Sequence, residues 1–216
     1  MKVFAINGSP RKKCNTAILL SKALEGARAH GAETELIHLY DLNYKGCKSC
    51  FSCKTIGSRS YGKCAVKDDL KQILEKFEES DAVILGSPIY FGTVTGEMRS
   101  FMERLLFPFY TYTDPPQSLF PKKVKTGFIY TMNVNEEQKN QLGYNLHFKT
   151  ISFYLKSIFG HTEQLLNFDT YQFKDYSKVL AERFDEKQKA KIRKEVFPDD
   201  CKKAFEMGAR FAQTNI

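Results

Sequence analysis

Short apolar segments alternate with segments of helical periodicity along this chain of 216 residues. Five apolar segments read as buried strands, at residues 2–7, 33–39, 81–90, 124–132 and 161–169. The first predicted helix begins near residue 15 and ends near residues 30–31. Further helical segments are predicted at 67–80, 96–106, 142–159 and 175–213. Five alternations of strand and helix predict an α/β fold, a parallel sheet with helices on both faces.

Composition is that of an ordinary globular protein, with 42% apolar and 27% charged residues. Every apolar run is shorter than the ~18–20 residues needed to cross a bilayer, and polar loop residues directly follow the N-terminal segment, unlike a signal peptide. We therefore expect one cytoplasmic domain, residues 1–216, without membrane association. A basic helical extension is expected over about 175–216, interrupted at Phe197-Pro198, with Asp199 or Asp200 capping its last helix.

The chain is basic, with 33 Lys and Arg residues against 25 Asp and Glu and a net charge of +8. Such a surplus attracts anionic partners, of which nucleic acids and phosphorylated cofactors are two classes. No nucleic-acid-binding motif accompanies the charge, so we predict no nucleic-acid partner.

The loop after the first strand, N-G-S-P-R-K-K-C-N-T at residues 7–16, leads directly into a helix. It offers hydroxyl, amide and guanidinium groups from Ser9, Arg11, Asn15 and Thr16. Such a loop favours phosphate, because unpaired N–H groups and the positive end of the helix both attract an anion. Neither the Walker pattern nor the dinucleotide pattern G-x-G-x-x-G is present. The alternative is a polar helix cap without a ligand.

The loop after the third strand, G-S-P-I-Y-F-G-T at residues 86–93, is expected at the same edge of the sheet. In a doubly wound sheet, ligands lie beyond the carboxyl ends of the strands, where these two loops meet. Tyr90 and Phe91 offer flat apolar faces, and Gly92 allows close approach of the backbone. A planar, phosphorylated heterocycle suits this combination, and flavin mononucleotide (FMN) fits. The alternative is that the two aromatic side chains pack in the core.

Three motifs in this order resemble those of the NADPH-dependent FMN reductase family, near its iron–sulfur flavoprotein branch. They are G-S-P-R-x-x-x-N-T at 8–16, G-K-C-x-x-K-D-D-L at 62–70 and D-x-V-I-L-G-S-P-I-Y-F-G-x-x-x-G-x-M-R-x-F-x-E-R at 81–104. The resemblance spans residues 1 to about 106. It implies a flavodoxin-like three-layer sandwich with a five-stranded parallel sheet in the order 2-1-3-4-5.

The resemblance also implies which residues contact the flavin. Phosphate contacts fall on Ser9, Arg11, Asn15 and Thr16. The ring is expected against Pro88, Ile89, Tyr90, Phe91 and Gly92, with Thr131 and Met132 at its other edge. No side chain is assigned as a catalytic acid or base, because the flavin itself carries out the chemistry.

Four of the six cysteines lie in one loop, as Cys47-x2-Cys50-x2-Cys53 followed by Cys64. Three thiols at this spacing can bind one face of an iron–sulfur cluster, whereas structural zinc usually takes two separated pairs. The iron–sulfur flavoproteins that the chain resembles carry a compact four-cysteine run, but here ten residues separate the last two cysteines. A 4Fe–4S cluster is therefore one interpretation and free thiols are the other, and no metal site is assigned.

The expected function is an FMN-dependent oxidoreductase that takes electrons from NADPH or NADH and passes them to a small acceptor such as a quinone or free flavin. The alternative is an electron carrier with a 4Fe–4S cluster that exchanges with a ferredoxin-like protein. A flavodoxin-shaped binding module without a redox role is a third interpretation. We expect a homodimer or homotetramer, with the aromatic and proline-rich loop 107–120 covering the flavin or meeting a second subunit.

Overall fold

The computed structural model describes residues 1–213 and contains the predicted parallel sheet. Its five parallel strands lie in the order β2-β1-β3-β5-β6, which is the 2-1-3-4-5 order predicted above. They are β1 (Lys2–Asn7), β2 (Glu33–His38), β3 (Ala82–Tyr90), β5 (Val124–Thr131) and β6 (Gly160–Asn167). A sixth strand, β4 (Thr93–Val94), pairs antiparallel with the end of β3 and was missed by the sequence analysis.

Seven α-helices cover the two faces of the sheet in the described part of the chain. They are α1 (Asn15–Ala29), α2 (Leu70–Glu79), α3 (Gly96–Leu106), α4 (Glu136–Gln141), α5 (Tyr144–Phe159), α6 (Glu186–Glu195) and α7 (Phe197–Phe211). Within residues 1–213, none is both long enough and apolar enough to cross a membrane.

Alternate residues of each strand fill two separate cores. In β1, Val3 and Ala5 pack with α1 and α7, whereas Phe4 and Ile6 pack with α2, α3 and α5. This is the pattern of a strand buried on both faces, where successive side chains point in opposite directions. It explains why the strands read as continuous apolar runs.

Helix α7 belongs to the sandwich and is not an appended extension. A Cβ atom added at Gly26 of α1 would lie 1.9 Å from the carbonyl oxygen of Phe205, and one added at Gly208 would lie 1.7 Å from that of Ala23. The two backbones are therefore in direct contact, which only glycine permits. The last helix of the predicted C-terminal extension therefore packs directly on α1.

The start of the C-terminal region also differs from the prediction. A single 3-10 turn at Tyr176–Lys178 precedes α6, whose first turn is capped by the Asp185 carboxylate. Helix α7 begins at Phe197, so Asp199 and Asp200 lie in its first turn and cap nothing. Residues 214–216 of the predicted extension lie outside the described part of the chain.

Helix α5 confirms the predicted helix 142–159, and a separate short helix, α4, precedes it. Asn135 and Gln138 form a reciprocal capping box that starts α4 early, and Gly143, at φ 72°, then turns the chain into α5. The sequence analysis overlooked the capping box.

Candidate functional site

A cleft lies at the carboxyl ends of β1, β3 and β5. Nine of the eleven predicted residues line it: Ser9, Arg11, Asn15, Thr16, Pro88, Ile89, Tyr90, Thr131 and Met132. Residues from three loops, far apart in sequence, therefore meet at one site. Of the lining side chains in the described part of the chain, Arg11 alone is charged at neutral pH, so the cleft suits an anion.

Phe91 and Gly92, which were predicted to line the ring, lie outside this cleft. They form the two-residue turn between β3 and β4, with φ values of 49° and 84°. Both values are in the left-handed region, as a tight hairpin turn requires. The Phe91 side chain is fully exposed as a result.

The loop after β1 is ordered by contacts within itself. The Asn7 Oδ1 atom accepts a hydrogen bond of 3.0 Å from the Ser9 N–H, and the Ser9 Oγ atom accepts one of 3.2 Å from the Arg11 N–H. The Asn7 Nδ2 atom lies 2.9 Å from Nδ1 of His38. Cys14, at the N-cap of α1, makes no side-chain capping bond within this fully described helix. The first-turn N–H groups therefore retain their capacity to bind an anion.

Thr95 joins the loops after β1 and β3. Its hydroxyl donates a 2.7 Å hydrogen bond to the Gly8 carbonyl and caps α3 by accepting from the Met98 N–H. Its own N–H donates to the Ser87 hydroxyl. Because both loops are buried and bonded at this point, their relative position is fixed before any ligand binds.

A third segment that the sequence analysis missed closes the cleft. Thr170 and Gln172, after β6, line it together with Cys14 and Asn133. Arg11 Nη1 donates a 2.7 Å hydrogen bond to the Gln172 carbonyl, and Asn15 Nδ2 donates a 3.2 Å bond to the Tyr171 carbonyl. No local signal marks this segment, because its role depends on where the chain passes after leaving the sheet.

The four loop cysteines line a second cleft. Cys47 and Cys50 are exposed, Cys64 is half-buried and Cys53 is buried. Within residues 1–213, no three Cys, His, Asp or Glu side chains lie close enough to hold a single metal ion. The Gly62 N–H donates a 3.0 Å hydrogen bond to the Cys53 carbonyl, so the ten-residue insertion folds back on itself. This return brings Cys64 to the same cleft.

Arg104, at the end of α3, holds the cysteine loop closed. Its guanidinium is only 2% exposed and binds both oxygens of Asp68, at 2.5 and 3.0 Å. It also donates to the Lys45 and Val66 carbonyls and to the Cys64 sulfur, at 3.2, 3.3 and 3.3 Å. Burial opposes its charge, but the hydrogen bonds to Asp68 and Cys64 outweigh burial and raise the pKa of Arg104. The sequence motif contained this arginine, but its role was not predicted.

Loop 107–120 packs against the cysteine loop. The Lys54 ammonium donates to the Tyr110 carbonyl at 2.5 Å and lies 4.6 Å above the Phe107 ring. Phe109 and Phe120 are buried in the core beside the α2 and α5 aromatics. None of the residues 107–120, all of them described, lines the cleft at the sheet edge. The other role expected of this loop, contact with a second subunit, stays a prediction.

Comparison with known proteins identifies the family. The sequence model for NADPH-dependent FMN reductase matches residues 1–152. The chain belongs to this family. Its fold is flavodoxin-like, as the motifs predicted.

Curated relatives of this chain are iron–sulfur flavoproteins. One from Archaeoglobus fulgidus is 44% identical over 104 residues, which are 48% of this chain and 48% of that protein. One from Methanocaldococcus jannaschii is 43% identical over 104 residues, or 48% of this chain and 51% of that protein. The match therefore spans about half the length of these relatives.

Solved structures support the fold alone, because their sequences are distant. An azoreductase from Bacillus anthracis has a TM-score of 0.69 at 15% identity, covering 97% of this chain and 99% of that one. An NAD(P)H:quinone oxidoreductase from Methanothermobacter marburgensis has a TM-score of 0.68 at 13% identity, covering 97% and 98%. An FMN-dependent NADH-azoreductase from Bacillus anthracis, solved with FMN, has a TM-score of 0.64 at 15% identity, covering 99% and 100%.

Proposed function

We propose that the cleft at the sheet edge binds FMN, with the phosphate on the loop after β1. Ser9, Arg11, Asn15 and Thr16 supply its hydrogen bonds, together with the first-turn N–H groups of α1. These groups fit a phosphate because they combine one fixed positive charge with several short donors. The observation that carries the proposal is that residues predicted from separate motifs converge on one positively charged cleft.

The flavin ring is assigned to the remaining part of the cleft. Pro88, Ile89 and Tyr90 form one wall, and Thr131 and Met132 form the opposite edge. Thr16 and Thr131 share a 2.7 Å hydrogen bond, which ties the phosphate end to that edge. Phe91 and Gly92 stay predicted ring contacts only if the hairpin tip moves when a ligand binds.

When bound, FMN would accept a hydride from a reduced nicotinamide and pass the electrons to a small acceptor such as a quinone or free flavin. The protein's part is to position the cofactor and to favour anionic substrates through its basic surface. In the test, protein loaded with FMN is mixed anaerobically with NADPH or NADH and flavin absorbance is followed. The absorbance is expected to bleach and then recover when a quinone is added. Loaded protein that neither nicotinamide bleaches would contradict the proposal.

An electron carrier with FMN and a 4Fe–4S cluster is the second candidate, with a ferredoxin-like protein as its partner. One observation favours it: Cys47, Cys50, Cys53 and Cys64 surround one cleft. A cluster takes one thiolate on each iron, so its ligands surround a volume and do not converge on one point. The lack of a single-ion site in the described residues is compatible with this arrangement.

Anaerobic purification followed by iron and sulfide analysis tests the second candidate. We expect about four irons and four sulfides per chain in the wild-type protein, and a clear loss in Cys53→Ser. Cys201→Ser, which changes a cysteine outside the loop, is the matched control. Folded, FMN-binding protein without iron or sulfide would leave the oxidoreductase as the function.

The assembly is proposed to be a homodimer or homotetramer, as the sequence analysis predicted. The fully exposed Phe91 at the β3–β4 turn is an apolar group that a second subunit would cover. Light scattering of wild-type protein and of Phe91→Ser tests this. A monomeric wild-type protein would contradict the proposed assembly. A Phe91→Ser variant that stays as oligomeric as wild type would show that Phe91 is not in the interface.

A further inference from the structure

Two cations of α6 contact residues that line the proposed flavin cleft at the sheet edge, although this helix lies beyond the residues that match the family. Lys189 is 1% exposed, and its Nζ atom lies 2.5 Å from Asn133 Oδ1 and 2.5 Å from Asp169 Oδ1. Arg193 Nη1 donates a 2.8 Å hydrogen bond to Asn15 Oδ1, and its guanidinium lies 3.8 Å from the centre of the Phe197 ring. Helix α6, whose basic sequence is typical of a solvated surface helix, therefore contacts two loops of the site, those that contain Asn133 and Asn15.

The contact of Arg193 with Asn15 determines which atoms the amide offers to the cleft. An arginine side chain only donates hydrogen bonds, so the Asn15 atom that it contacts is the oxygen. The amide nitrogen then faces away from Arg193 and donates one of its two hydrogens to the Tyr171 carbonyl. The other hydrogen is left for a ligand. With its only acceptor occupied, Asn15 presents donors alone, as an anionic ligand requires.

We infer that Arg193 is a positioning residue for the cofactor phosphate, acting through the Asn15 amide. This inference rests on the proposed function, since it assigns the phosphate to the loop that contains Asn15. Without Arg193, only the bond to the Tyr171 carbonyl holds the amide, so its donor-presenting orientation is less strongly fixed. Affinity for FMN then falls through lost orientation, not through the loss of one surface charge.

A double-mutant cycle of Arg193→Gln with Asn15→Ala tests the inference, with dissociation constants measured for FMN and for riboflavin, which lacks the phosphate. We expect Arg193→Gln to weaken FMN binding about tenfold and to leave riboflavin binding within about twofold. In the Asn15→Ala background, the same substitution is expected to change FMN binding by less than about twofold. Lys194→Gln, which removes an exposed charge on the same helix, is the control and is expected to match wild type.

The inference would be overturned if Arg193→Gln weakened riboflavin binding as much as FMN binding, or if it kept its full effect on FMN binding in the Asn15→Ala background. The same loss of FMN affinity in Lys194→Gln would also overturn it. FMN binding by Arg193→Gln that equals wild type would also overturn it and leave the proposed function intact. Wild-type protein that binds no FMN would overturn both. If Arg193→Gln does not fold, Arg193→Met replaces it in the cycle, because its aliphatic chain still packs on Phe197.

Discussion

The two clefts of this protein are held together in different ways. At the flavin cleft, short contacts join the ends of buried strands, as where Thr95 bonds to the Gly8 carbonyl. At the cysteine cleft, an irregular loop is closed by one buried side chain, Arg104, which reaches residues on both sides of the cysteines. The first site is distributed over the sheet and the second depends on a single group.

Helix α3 connects the two sites. Thr95 caps its first turn beside the flavin cleft, and Arg104 lies in its last turn beside the cysteine cleft. Eleven residues of α-helix span about 16 Å. Substitutions at the two ends of this helix therefore test the contrast directly, because a distributed site loses little from one change and a dependent site loses much.

The largest effect is expected for Arg104→Met. It leaves the Asp68 carboxylate without its buried partner and two carbonyls without donors, so the free energy of unfolding should fall by about 3–5 kcal/mol. Urea denaturation measures this. Arg99→Met, which removes the exposed pair with Glu103, is the control and should cost less than about 1 kcal/mol. Equal losses in the two variants would show that the cysteine loop does not depend on Arg104.

Arg11→Ala with Thr16→Ala should come next, with its effect on binding. Loss of two phosphate contacts is expected to weaken FMN binding by about 2–4 kcal/mol, as measured by quenching of flavin fluorescence. Lys13→Ala, an exposed neighbour in the same loop, should bind FMN like wild type. An unchanged dissociation constant in the double variant would remove the phosphate from this loop.

Thr95→Ala should have a smaller effect, of about 1–2 kcal/mol on unfolding, because it removes a helix cap and one buried hydrogen bond. Thr93→Ala, on the exposed side of the hairpin, serves as the control in thermal or urea denaturation. A loss as large as that of Arg104→Met would break the contrast between a distributed and a dependent site.

The smallest effect is a pH dependence confined to the flavin side. Burial lowers the pKa of His38. Its Nδ1 atom accepts a hydrogen bond from Asn7 Nδ2, because an amide nitrogen can only donate, and the imidazole can accept only when it is neutral. The pKa of His38 in the folded protein lies below the unfolded value of about 6.5. The stability that neutral His38 contributes to the folded state is therefore complete above that pH, and it is lost as the pH falls through the folded pKa.

Unfolding of wild type and His38→Gln should therefore be compared between about pH 8 and pH 5. The glutamine oxygen can accept the same hydrogen bond, so the variant should lose less stability on acidification. Parallel curves for the two proteins would show that His38 does not titrate in this range.

The sequence predicted whatever is local. The parallel sheet and α1 to α3 follow from strand and helix patterns, whereas the sheet order and the nine cleft residues were implied by the family resemblance. The β4 hairpin was missed because it places Phe91 at a positive φ, which aromatic residues rarely adopt. The buried roles of Lys189 and Arg193 were missed because basic residues in a polar helix look solvated until the fold supplies their partners.

A crystal structure of the protein with FMN tests the central claim most directly. We expect the phosphate within hydrogen-bond distance of Ser9, Arg11 and Thr16, and the flavin ring between Tyr90 and Met132. Flavin bound anywhere else, including the cysteine cleft, or a cleft that holds only water at saturating FMN, would contradict it.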